Sequence, residues 1–177
     1  MRFAVSRDEI KRATVPHELF LTNLIGNHIL LTVALGGLAG SFPWIMALIP
    51  AISFGILGFI LWRARRAIDR DPWYVMCHWQ VCARRSRLFL AMLGLLLLAI
   101  TLGWAGHTYG GMMKEAVWAL VAGIGILPVM GTVLVLVMIE SDALYHANQA
   151  KLPNWVVERF PNPEARAIAE DDLAHHS

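Results

Sequence analysis

The chain has 177 residues, of which 57% are hydrophobic and only 16% charged, a balance outside that of a water-soluble domain of this length. Its mean hydropathy is +0.54 and its pI near 8.7, so the net charge of +2 carries information only through its distribution, and no nucleic-acid partner is expected. Two cysteines, Cys77 and Cys82, are too few for a disulfide scaffold and too widely spaced for a Cys-x-x-Cys pair, which excludes the usual metal and redox signatures.

Residues 1–18 form a charged amino-terminal segment. Ser6 and Glu9 have capping-box spacing, which predicts a short surface helix to Ala13. Pro16 suits the first turn of a second helix that leads through His17 and Glu18 into an apolar run over 19–40. Ala39-Gly40-Ser41 has the small residues of a signal cleavage site, but the preceding charged stretch of 18 residues and the apolar stretch of 22 are too long for one. The first helix is therefore expected to remain in the protein.

Three further apolar runs follow, over 44–62, 88–106 and 116–139, each long enough to cross a bilayer. None alternates as a barrel strand does, and in hydrocarbon every amide must be satisfied within its own segment, so each run predicts a helix. The fold class expected is an all-α integral membrane protein, a four-helix transmembrane bundle occupying 19–139. Pro50 and Pro128 are expected to kink the second and fourth spans without acting as hinges.

The loop over 63–87 is the most distinctive segment outside the spans. Asp71-Pro72 predicts a capped helix start, and a helix near the membrane surface leading into span three. Its arginines and aromatic rings, among them Arg63, Arg65, Arg66, Trp73, Trp79, Arg84, Arg85 and Arg87, form a candidate surface for anionic lipid or a partner. A basic and aromatic girdle of the kind common to membrane hairpins is the plainer explanation. Residues 140–177 form a tail with seven acids against three bases. Trp155, Val156, Val157 and Phe160 are expected to make a short apolar patch, and the last dozen residues to be poorly ordered.

Fourteen of the fifteen basic residues fall before span one, between spans two and three, or after span four; only Lys114 lies on the other side. This asymmetry predicts both termini and the central loop in the cytoplasm, with outer turns at 41–43 and 107–115. The short turns and arginine bias fit a bacterial inner membrane, multi-pass and with both termini inside.

Span one alone is appreciably polar. Asn23 and Asn27 are four apart and stack on one face, with His28 about 100° round from Asn27 and near the middle of the span. His28, Asn27 and Asn23 are the candidate intramembrane polar site, because such groups are costly in lipid unless they meet a partner or a cavity. Interhelical hydrogen bonding is the simpler role, and a relay, a quinone contact or a haem ligand the functional ones. No other span holds a histidine, so a haem bound by two histidines of this chain is not expected, and a second ligand would have to come from another subunit. Asp142 and His146, four apart, are a frequent chance spacing, and no metal is expected. The small residues Gly36, Gly40, Gly55, Gly58, Ala99 and Gly103 are expected at close helix contacts.

In size and layout the chain is similar to several unrelated four-helix membrane proteins, including quinone-linked disulfide oxidases and small subunits of binding-protein-dependent secondary transporters. The first resemblance implies outer cysteine pairs, whereas Cys77 and Cys82 lie on the expected inner side. No catalytic constellation assembles. The expected function is a non-catalytic accessory or assembly subunit of a larger membrane complex, with lipids and other subunits or a second copy as partners. The alternatives are a small oligomeric transporter or channel lined by Asn23, Asn27 and His28, and a redox subunit touching haem or quinone through His28.

Overall fold

The computed structural model describes residues 1–165 and the backbone of 167–168, so the last dozen residues and their expected disorder lie largely outside the described residues. Four helices make up nearly all of it: α1 (Arg7–Gly36), α2 (Trp44–Arg70), α3 (Trp73–Gly110) and α4 (Lys114–Asn148), each long and apolar enough to cross a membrane. Short connections run α1 up, α2 down, α3 up and α4 down, which brings both chain ends to one end of the bundle. A short α5 (Asn154–Arg159) and the strand pair β1 (Arg2–Phe3) and β2 (Ala167–Ile168) close that end.

Every helix is longer than the apolar run that predicts it. The capping box forms as the spacing indicates: the Ser6 hydroxyl accepts from the Glu9 amide at 3.2 Å, and Glu9 Oε2 accepts from the Ser6 amide at 2.9 Å. The expected break between Ala13 and Pro16 is absent, and α1 runs through the proline without interruption. Pro16 cannot donate to the Arg12 carbonyl, yet its own carbonyl accepts from Cys82 Sγ at 3.2 Å, tying α1 to α3 at this point.

Asp71 does not cap the helix that follows it. Pro72 occupies the position before α3, and the Asp71 carboxylate instead takes Arg12 at 2.6 Å and Arg63 at 2.7 Å. A buried carboxylate with two guanidiniums in reach gains more from charge pairing than from one amide. Residues 73–87 are the first turns of α3, a single helix of 38 residues that leads without a break into the apolar run. A Gly111 residue with φ 65° ends it, the left-handed geometry that glycine adopts without steric cost.

The core is concentrated at the end that carries the termini. Phe20, Leu57, Ile60, Tyr74, Val81 and Phe89 are fully or almost fully buried there. Side-chain hydrogen bonds stitch it further: Tyr74 Oη donates to the Ala147 carbonyl at 2.9 Å, Trp73 Nε1 to Phe160 at 2.7 Å and Gln80 Nε2 to Ala64 at 2.7 Å. The amino-terminal strand joins in, with Phe3 N–H on the Ala150 carbonyl and Leu152 N–H on Met1. In the tail, Val156 is buried and Trp155, Val157 and Phe160 pack against the same core, so this apolar patch is folded onto the chain itself.

Candidate functional sites

Two polar clusters lie along one face of α1. The first is the expected one. Residues Thr22–Leu31 form a π-helical stretch, whose wider turn brings positions four and five apart close to superposition. Asn23, Asn27 and His28 therefore all turn inward, and all three are buried. Asn23 and His28 share a partner in Ser53 of α2, fully buried, whose hydroxyl takes Asn23 Nδ2 at 3.0 Å and stands 2.9 Å from His28 Nε2. Accepting from Asn23 and donating to the imidazole satisfies that hydroxyl on both counts. Asn27 Nδ2 donates to the Ile49 carbonyl at 2.8 Å and to Asn23 Oδ1 at 3.2 Å. The cluster binds α1 to α2, and Asn27 Oδ1 within it is buried without a partner.

The second cluster draws on α1, α3 and α4 near the ends of the apolar runs. His17 Nδ1 lies 2.6 Å from Glu140 Oε2, and His17 Nε2 lies 3.0 Å from His78 Nδ1. A donor at His17 Nδ1 toward the carboxylate and a donor at His78 Nδ1 toward His17 Nε2 are consistent with both distances. Glu140 and His17 are wholly shielded from solvent and His78 almost so. Arg85 Nη1 stands 3.1 Å from Glu140 Oε1 and donates to the Ile139 carbonyl at 3.2 Å. It supplies the charge that a buried carboxylate needs. The Tyr74 ring packs on His78 at 4.8 Å, and His78 Nε2 has no hydrogen-bond partner.

His78 precedes the apolar run of α3 by ten residues. Burial, more than any neighbour, pushes its pKa well below the usual histidine value, and the charges of His17, Arg85 and His146 push the same way against the nearby Lys151 carbonyl. Burial likewise raises the Cys82 thiol well above its ordinary range, with Glu140 adding to the shift. A thiol held protonated and donating to a carbonyl is a structural group, not a nucleophile.

Compared with protein-family profiles, with curated proteins and with solved structures, the chain matches none. Its chemistry therefore has to be read from the two clusters alone. Their nearest members on α1, His17 and Asn23, are six residues apart, about 9 Å along the helix, and Phe89 packs alongside. Its ring is 4.8 Å from that of His28 and 6.2 Å from that of Phe20. Among the described residues no group of three or more His, Cys, Asp or Glu side chains is placed to hold a metal ion; Asp142 and His146 make an exposed contact at 3.5 Å.

The candidate surface set divides. Arg65, Arg66, Arg84 and Arg87 are exposed, while Trp79 is buried beneath Arg63. Arg63, Arg85 and Trp73 are engaged with Asp71, Glu140 and Phe160. Among the small residues, Ala99 and Gly103 lie against neighbours, Gly103 with Val117 of α4 so close that an added Cβ would sit 2.9 Å away. A Cβ at Gly36, Gly40, Gly55 or Gly58 would meet nothing within 4 Å. Sequence reasoning passed over His17, Ser53, His78 and Glu140. The one signal for His17 is its spacing of eleven from His28, three helical turns on the same face.

Proposed function

We propose that this chain is a non-catalytic accessory or assembly subunit of a larger complex in a bacterial inner membrane, with both termini in the cytoplasm. The observation that carries the reading is that the buried polar groups bond chiefly to one another. The Asn23–Ser53–His28 cluster and the His17–Glu140–His78 cluster serve as interhelical ties, worth about 1 kcal/mol for a typical hydrogen bond in lipid. A conduction path lined by Asn23, Asn27 and His28 would require their bonds to Ser53 and Ile49 to be given up. The same holds for a haem or quinone contact through His28 Nε2. Apolar helix faces with unfilled space at Gly36, Gly40, Gly55 and Gly58 are suited to close approach by another membrane helix.

Purification in mild detergent, with mass spectrometry and an absorption spectrum of the same sample, tests the reading. A defined membrane partner at fixed stoichiometry and no pigment is the expected result. A lone homo-oligomer would overturn it in favour of the transporter, and a haem band in favour of the redox subunit.

A further inference from the structure

One face of α2 carries, in order, Phe59, Trp62, Arg66 and Arg70, with Arg65 about 60° round from Trp62, and all five are exposed. The Arg66 guanidinium carbon lies 4.5 Å from the centre of the Trp62 ring, and the Phe59 ring lies 5.8 Å from the same indole. A guanidinium stacked by its flat face keeps its N–H edge free for an oxyanion, and the stacking holds the long side chain in place. Among the described residues, Arg12 and Arg63 are paired with Asp71 and Arg85 with Glu140, whereas Arg65, Arg66 and Arg70 have no carboxylate within 4.0 Å. Asp69 is exposed on the same turns and pairs with none of them.

Depth selects the partner. Trp62 closes the apolar part of α2, and at about 1.5 Å per residue Arg65 and Arg66 stand roughly 5–6 Å beyond it and Arg70 roughly 12 Å. An indole at the hydrocarbon boundary with guanidiniums one turn further out matches the ring and phosphate levels of a lipid leaflet. We propose that Trp62, Arg65, Arg66 and Arg70 form a binding site for the phosphate headgroup of an anionic phospholipid. The site goes beyond the accessory-subunit reading and depends only on insertion of the four helices in a bilayer. Excess negative charge in the headgroup distinguishes this ligand from a zwitterionic lipid, and each arginine near an anionic surface contributes about fivefold in affinity.

Native mass spectrometry of the full chain, titrated with phosphatidylglycerol and with phosphatidylcholine of the same acyl chains, tests the proposal. The unaltered protein is expected to retain phosphatidylglycerol in preference. The pair Arg65→Gln and Arg66→Gln should weaken that binding about tenfold or more and leave phosphatidylcholine unchanged. A control pair, Arg7→Gln and Lys11→Gln, removes the same charge from exposed positions on α1 and should leave the preference intact. Equal binding of the two lipids, or an equal loss in the control pair, would overturn the site in favour of diffuse attraction. Loss of a co-purifying protein from the Arg65/Arg66 variant with lipid binding unchanged would overturn it in favour of a protein contact. None of these readouts depends on whether the chain has a fixed membrane partner, so the two proposals fail separately.

Discussion

Glu140 joins three helices through one buried carboxylate. It terminates the apolar run of α4, is wholly buried, and meets His17 of α1 and Arg85 of α3. A buried carboxylate is tolerable only with such partners, and removing one member of a buried pair leaves the others desolvated and unpaired. Glu140→Ala is expected to lower stability by about 3 kcal/mol, measured by chemical or thermal unfolding in detergent. Glu140→Gln retains an acceptor for His17 and should cost less; equal stability of all three proteins would refute the role given to this residue. His78 yields a prediction in pH. Its depressed pKa means that the folded state favours the neutral ring, so its contribution is complete above the ordinary histidine value near 6.5 and is lost as pH falls below it. The unfolding free energy should drop between pH 7 and pH 5, by at most about 1.4 kcal/mol per pH unit for one proton. His78→Asn, which keeps a group where Nδ1 meets His17, should flatten that dependence, and an unchanged slope would show that another group titrates.

At the scale of elements, the helices owe their length to capping and packing beyond the apolar runs. The run over 88–106 accounts for half of α3; the rest is held by Tyr74, Gln80 and Cys82, whose side chains each reach a backbone carbonyl on a different segment. Pro16 shows why a local rule for helix starts did not suffice. The penalty for a proline inside a helix, about 3 kcal/mol, is outweighed where His17, Phe20 and Leu24 just beyond it pack into the core. The contact between α3 and α4 turns on small residues. A Cβ at Gly125 would lie 2.7 Å from Leu96 Cδ1 and 3.4 Å from the Leu96 backbone. Gly125→Val is therefore expected to destabilise the protein by about 1–3 kcal/mol, whereas Gly58→Ala, which meets open space, should have little effect. Thermal unfolding of the two variants side by side checks this, and equal behaviour would mean that the two helices do not approach so closely.

On the scale of the whole molecule, the two ends of the bundle differ. The end with the termini holds the ion pairs at Asp71 and Glu140, the β1–β2 pair and the folded-back tail. The opposite end exposes Trp44, Trp104, Tyr109 and Trp118, rings suited to a membrane interface. The four long apolar helices were legible from the residues alone, because stretches of about 20 apolar residues, the length that a bilayer crossing demands, occur four times in the chain. An even number of helices with short turns also puts both termini at one end without further information. The polarity of Asn23, Asn27 and His28 was legible for the same reason, since polar side chains stand out in an apolar run. Their partner was not: Ser53 is one small hydroxyl among apolar neighbours, and only the packing of α2 on α1 gives it meaning. The second cluster lay further out of reach. His17, His78 and Glu140 are separated by 61 and 123 positions, and no local period connects them. Arg63, Arg85, Trp73 and Trp79 read as girdle residues because charge and aromaticity mark the membrane boundary, while the choice between facing lipid and facing the core is made by helix rotation. Hydropathy is a property of each segment and survives without the fold; burial of a charge beside its partner is a property of three helices at once, and only the tertiary structure decided it.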